Sequence, residues 1–233
     1  MIRRLSVLFL ASGASLGLGS GGATAVAWAG EADISKIMGS IDVAPADHVG
    51  DLSTVNGSIH IGADATAGHA KTVNGAIHIE SRASAIDVDA TNGGIHVQGS
   101  HVTGKIHTVN GGLDIRNGAE VSGDVGNVNG GIHVVEAHVH GSIRTANGDV
   151  DLGPNAHVDG DVIIERDNSS HFGDYCPPEV VIGPGTIVKG KLHFERRVRL
   201  YVSDRASIGP VDGAQPVTFS GDHPPADCSN HKH

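Results

Sequence analysis

Aromatic side chains are scarce in this chain: 3% of its 233 residues, one Trp, two Tyr and four Phe. They stand near the start (Phe9, Trp28) or from Phe172 onward, so the long middle has none to stack on unpaired bases. Positive charge is scarce too. Sixteen Lys and Arg face 26 Asp and Glu, a formal net charge of −10, which disfavours nucleic acid and anionic membrane surfaces as partners. Catalytic signatures are also missing: past the leader there is no H-E-x-x-H, Walker loop or dinucleotide fingerprint. A G-x-S-x-G match, Gly13 to Gly17, falls inside the leader and is a false positive. Carboxylates are scattered rather than clustered as glycoside hydrolysis needs. The expectation is a protein that is not an enzyme and carries no cofactor.

What the chain does have is a repeat. TVNGSIHI, Thr54 to Ile61, returns as TVNGAIHI, TNGGIHV, TVNGGLDI, NVNGGIHV and TANGDVDL. The Asn-Gly pairs begin at Asn56, Asn74, Asn92, Asn110, Asn129 and Asn147, so by subtraction the spacings are 18, 18, 18, 19 and 18. A short fixed period marks a solenoid. After each Asn-Gly comes an alternating run such as Ile59-His60-Ile61, the pattern of a strand with one buried face. Apolar columns also lie four residues before each Asn (Leu52, Ala70, Val88, Ile106, Val125, Ile143) and one before it (Val55, Val73, Thr91, Val109, Val128, Ala146).

Equivalent positions on successive coils of a parallel β-helix stack about 4.8 Å apart, so these columns would line an aliphatic core. Frequent Gly with Val and Ile disfavours a helical solenoid. Asn-Gly could also turn antiparallel hairpins, but the pieces flanking it are unequal and the 18-residue identity favours coils in register. The asparagines are read as structural: corners in the left-handed conformation, with amides hydrogen-bonded along the axis.

Read in order, residues 1–29 resemble a secretory signal: Arg3 and Arg4, an apolar stretch from Leu5 to Leu18, and Ala27-Trp28-Ala29 as the cleavage site. Its Gly and Ser content argues against a permanent transmembrane anchor. Export places the protein in the periplasm or at the cell surface. The solenoid is expected over 30–212, with a polar loop inserted at 166–178 and a Pro/Asp/His-rich tail at 213–233. Cys176 lies in the loop and Cys228 in the tail, and an even count in an exported chain favours a disulfide between them. Such a bond would contribute about 3–4 kcal/mol if unstrained. The rival reading is a metal site from Cys228, His231 and His233.

Sixteen histidines are the chain's chemical peculiarity. The outward column between the buried Ile and Val positions reads Asp42, His60, His78, His96, Asp114, His133 and Asp151. Adjacent imidazoles at coil spacing could share zinc, copper or nickel, which makes His60, His78, His96 and His133 the metal candidates. The competing reading is a solvated face. A second outward column holds Asp51, His69, Asp87, Lys105 and Asp124.

The TVNGxIxI unit, over about Gly39 to Ile164, resembles the bacterial adhesin-like β-solenoid family, proteins of unknown function. The run from Ile182 to Gly190, IGPGTIVKG, is similar to bactofilin-like polymer-forming β-helices. These resemblances imply a right-handed, three-sided coil with structural or surface roles. The chain departs from typical bactofilins in its export signal, Cys-bearing insert and Pro-rich tail.

The functional expectation is a scaffold or adhesin-like module of the cell envelope that binds an envelope protein, a glycan or another surface ligand. One alternative is a metal-binding protein using the His/Asp column. Another is a bactofilin-like polymer assembled end to end.

Overall fold

The computed structural model describes residues 31–166 and 176–225, which belong to one compact unit spanning 31–233. The expected signal at 1–29, Cys228, His231 and His233 lie outside the described residues. The architecture is all-β: three parallel sheets stacked in turns of about 18 residues, a three-sided β-solenoid of about ten turns. Among the described residues no helix is long and apolar enough to cross a membrane.

Each turn lays one strand on each face. The first face begins with Ile34–Met38 and continues through Leu52–Asn56, Ala70–Asn74 and their successors to Val211–Asp212. The second carries Ile41–Val43, Ile59–Ile61, Ile77–Ile79 and so on to Pro216–Phe219. The third is built of two-residue strands from Ser84–Ala85 to Ser207–Ile208, preceded by bridges linking His48, Thr66 and Ser84. Register follows the repeat: Ile59 pairs with Ile77, Ile77 with Ile95, Ile95 with Leu113 and Leu113 with Ile132. All five are 0% exposed.

The column one residue before each Asn faces outward, contrary to the sequence expectation. Val55 and Val128 are 40% and 37% exposed, and Val73 and Val109 are half-buried. The pleat explains this: with Leu52 inward, Thr54 is the next inward residue and Val55 points out. Buried Thr remains tolerable because its hydroxyl finds a carbonyl. Thr54, Thr72 and Thr108 donate to the glycine carbonyls of Gly39, Gly57 and Gly93 at 3.1, 2.8 and 3.0 Å. Asn127 fills the same role, its amide donating to the Gly111 and Gly130 carbonyls.

The Asn-Gly corner also differs from expectation. None of the six asparagines has a left-handed backbone; among the described residues, the non-glycine ones that do are Ala46, Asp64, Arg82, Asn117, Glu136 and Asn155. All six stand at the corner between the second and third faces. Each ladder Asn instead ends a first-face strand and donates Nδ2 to the Oδ1 of the Asn one coil earlier, at 2.8 to 3.2 Å from Asn74 through Asn147. The expected amide ladder along the axis is therefore present. Its last acceptor, Asn147 Oδ1, takes a hydrogen bond from Arg196 Nη1 at 2.8 Å. The glycine after each Asn is required by close approach, because a Cβ there would collide with the carbonyl of the glycine one coil below.

The insert replaces an Asn-Gly corner. Val162 pairs with Leu192, 30 residues on instead of 18, while the flanking strands keep the parallel order. Cys176, at the edge of this segment, is disulfide-bonded. The solenoid also runs past the expected boundary at 212. Pro216–Phe219, inside the segment read as tail, pairs in parallel with Arg199–Ser203.

Candidate functional site

The predicted outward column forms as expected. Asp42, His60, His78, His96, Asp114, His133 and Asp151 pair in unbroken register on the second face. Its rings do not converge on a point. His78 and His96 stack with centroids 4.8 Å apart and planes 4° from parallel, while His60 is tilted 46° from His78 at 6.5 Å. Stacked rings hold their nitrogen lone pairs in parallel planes, which suits packing better than sharing an ion. Asp114 separates His133 from the other three, and His133 Nδ1 faces Asp151 at 3.6 Å.

Charge along this column is tuned in opposite directions. His78 is held below the ordinary imidazole range, first by burial and then by His96 and His60, against a weaker pull from Glu80. His133 is raised, chiefly by Asp151, with burial opposing, Asp114 adding to the rise and Arg116 subtracting. At 3.6 Å the contact with Asp151 is closer to charge attraction than to a short hydrogen bond.

The signs follow from linkage. A base depressed on folding binds its proton more readily when unfolded, so stability falls as pH drops through the reference value of about 6.5. A raised base contributes stability below about 6.5 that disappears as pH climbs through its folded value. Urea midpoints measured across this window should therefore separate two variants. His78→Gln should lose less stability than the parent on acidification, and His133→Gln should lose more. Parallel pH curves for all three chains would contradict the assignment.

The second outward column is structural. Asp51, Asp87, Asp124 and Asp161 each accept, through Oδ1, a backbone N–H one coil on, from His69, Lys105, Ser142 and Lys191 at 2.7 to 2.8 Å. His69 Nδ1 meets Asp87 Oδ2 at 3.1 Å. Carboxylates spent on peptide N–H groups at a corner stabilise the turn and are poor candidates for chemistry.

The tightest grouping of ligating atoms lies on the third face, where the sequence reading placed no site. A nitrogen from each of His138 and His140 and an oxygen of Glu120 lie within 4.8 Å of one another. His138 and Val139 form a two-residue strand and His140 follows directly, with Val139 buried and the histidines on either side turned outward. Glu120 pairs directly with His138 from the coil below. From the coil above, Asp159 Oδ2 lies 3.0 Å from both His138 Nε2 and His140 Nδ1. Glu120 Oε1 lies 2.8 Å from His140 Nε2, and its other oxygen lies 3.5 Å from His101 Nδ1. Lys189 Nζ meets Asp159 Oδ1 at 2.7 Å.

These contacts shift Glu120, His140 and Asp159 in the direction charge dictates. The His140 hydrogen bond lowers Glu120, and Glu120 and then Asp159 raise His140. Lys189, ahead of His138 and His140, holds Asp159 far below the usual carboxylate range. The signal that could have found this cluster is the H-x-H triplet at a short strand and its end, with an acid at the equivalent position one coil away. The scan for a single histidine column passed over it.

Concave sites are shallow by comparison. An open groove on the first face is lined by Arg144, Ile163, Glu165, Arg166, His193 and Glu195, beside the insert. Against known proteins, no family model, no curated protein and no solved structure matches this chain.

Proposed function

We propose that this protein is a non-enzymatic, exported scaffold or adhesin-like interaction module of the cell envelope. The observation that carries this reading is the outward aliphatic column of the first face. Val55, Val73, Val109 and Val128 lie in one column, one per coil or every second coil, on a solenoid whose core is already complete without them. An aligned row of partly exposed aliphatic side chains on one face is a candidate contact surface. A rigid stack presents such a row at fixed spacing to an extended partner. The leader at the start of the sequence supports export, and the net negative charge supports a partner other than nucleic acid.

The test is a quadruple variant, V55S/V73S/V109S/V128S, compared with the parent for retention on washed envelope fractions and purified envelope glycan. The parent should be retained and the variant released at least tenfold more readily, with circular dichroism unchanged. Equal retention of both chains would remove the valine column from the account. Retention of neither would remove the interaction reading itself. Filaments in sedimentation and electron micrographs would point instead to end-to-end assembly.

A further inference from the structure

We infer that Glu120, His138 and His140 form a binding site for one divalent transition-metal ion of the zinc class, independent of whatever the valine column binds. Two imidazole nitrogens and one carboxylate oxygen make a familiar donor set for such an ion, with a fourth position left to water. Calcium and magnesium take oxygen ligands instead, so the pair of imidazoles excludes them as the natural occupants. Copper(II) and nickel(II) accept the same donors and would compete.

The geometry supports the assignment in three ways. First, the ligand atoms already lie within 4.8 Å of one another. Ligands at about 2.0–2.2 Å from a tetrahedral ion sit about 3.3–3.5 Å apart, so side-chain rotations of about an ångström close the site. Second, the backbone positions are fixed. His138 lies on the two-residue strand His138–Val139 and His140 follows it directly, Glu120 is paired with His138 in the neighbouring coil, and Val139 is locked in the core.

Third, Asp159 supplies the orienting partner that metal-bound histidines usually have. Its Oδ2 is an acceptor only, so it takes the N–H of His138 Nε2 and of His140 Nδ1 at 3.0 Å each. This leaves the opposite ring nitrogens for the ion, and His140 Nε2, now donating to Glu120 Oε1 at 2.8 Å, would release its proton on binding. Lys189 holds the other oxygen of Asp159 at 2.7 Å, which keeps that carboxylate in the orienting role.

The outward histidine column lacks these features. The stacked rings of His78 and His96 face each other instead of a shared point, and no carboxylate joins them from the coil below. The Cys228, His231 and His233 grouping lies outside the described residues.

Zinc chloride titrated calorimetrically into the full chain, freed of metal by chelation, tests the proposal. H138A/H140A should bind one zinc fewer per chain than the parent. Both side chains point outward, so melting curves without metal should coincide and show that the variant folds. Glu120→Gln should weaken this site at least tenfold. Asp159→Asn, which removes an orienting group and no ligand, should weaken it by about 10–100-fold. H60A/H78A/H96A should leave its affinity unchanged. Zinc should raise the melting temperature of the parent and of H60A/H78A/H96A through this site, and H138A/H140A should lose that increment. Equal zinc stoichiometry in H138A/H140A and the parent would overturn the proposal, as would a parent that takes up no zinc.

Discussion

Replacing Gly130 with alanine should destabilise the solenoid by about 3–5 kcal/mol. Two costs combine there. The backbone of Gly130 has φ of +124°, in a region that L side chains avoid. An added Cβ would also lie 2.5 Å from the carbonyl oxygen of Gly111 in the coil below. That oxygen belongs to a backbone held by its own parallel ladder, so it cannot swing aside as a flexible side chain would.

Two controls separate these costs. Gly118→Ala keeps the positive φ, +80°, but meets nothing within 4 Å, and should cost only about 1–2 kcal/mol. Gly112→Ala has no positive φ, and its nearest new neighbour is the Gly131 carbonyl oxygen at 3.4 Å. It should be neutral or stabilising by about 0.5 kcal/mol, since alanine narrows the unfolded ensemble. Urea midpoints decide the matter, and a Gly130→Ala chain as stable as Gly112→Ala would refute the close-stacking argument. Gly130 sits in a central coil, so fraying from an end would have to open about half the stack to relieve the clash.

The same comparison shows what could be read from the letters alone. The first glycine of Asn-Gly recurs in all six units, whereas the next position is Ser58, Ala76, Gly94, Gly112, Gly131 or Asp149. That contrast already carried the close approach, yet the sequence reading assigned the pair to a left-handed corner because Asn-Gly has that role in hairpins. Parallel register was legible because side chains 18 positions apart recur as one column, whereas the three faces were expected only from the family resemblance. The inward or outward sense of Val55 was not legible. Two strand segments meet at each corner, and the phase of the pleat on the first depends on where the chain bends; hydropathy favoured Val over Thr for the interior, and three hydroxyl-to-carbonyl bonds reversed it. The column of His60, His78, His96 and His133 was found because it follows the repeat. The Glu120, His138 and His140 cluster was missed because it breaks the repeat: two adjacent coils supply unlike residues, and only their side-chain geometry brings them together.

Truncating Ile95 to alanine should cost about 2–5 kcal/mol, toward the upper part of that range. Ile95 is 0% exposed and sits between Ile77 below and Leu113 above, each in its own hydrogen-bonded coil. In a globular core, neighbours shift to fill part of a cavity. Here the coil spacing is set by parallel backbone ladders on three faces, so Ile77 and Leu113 cannot close the gap without breaking register. The cavity therefore stays open and its lining loses contacts outright. Val109→Ala is the matched test of the outward phase. If the valine column lined the core, that substitution would also leave a cavity and cost well over 1 kcal/mol. On the outward face it should change stability by less than about 0.5 kcal/mol. Equilibrium unfolding of the two variants thus reads the inside and outside of the first and second faces independently. A costly Val109→Ala beside a harmless Ile95→Ala would invert the coil, exchange the outward histidine column with the core, and remove the fixed backbone on which the Glu120, His138 and His140 site depends.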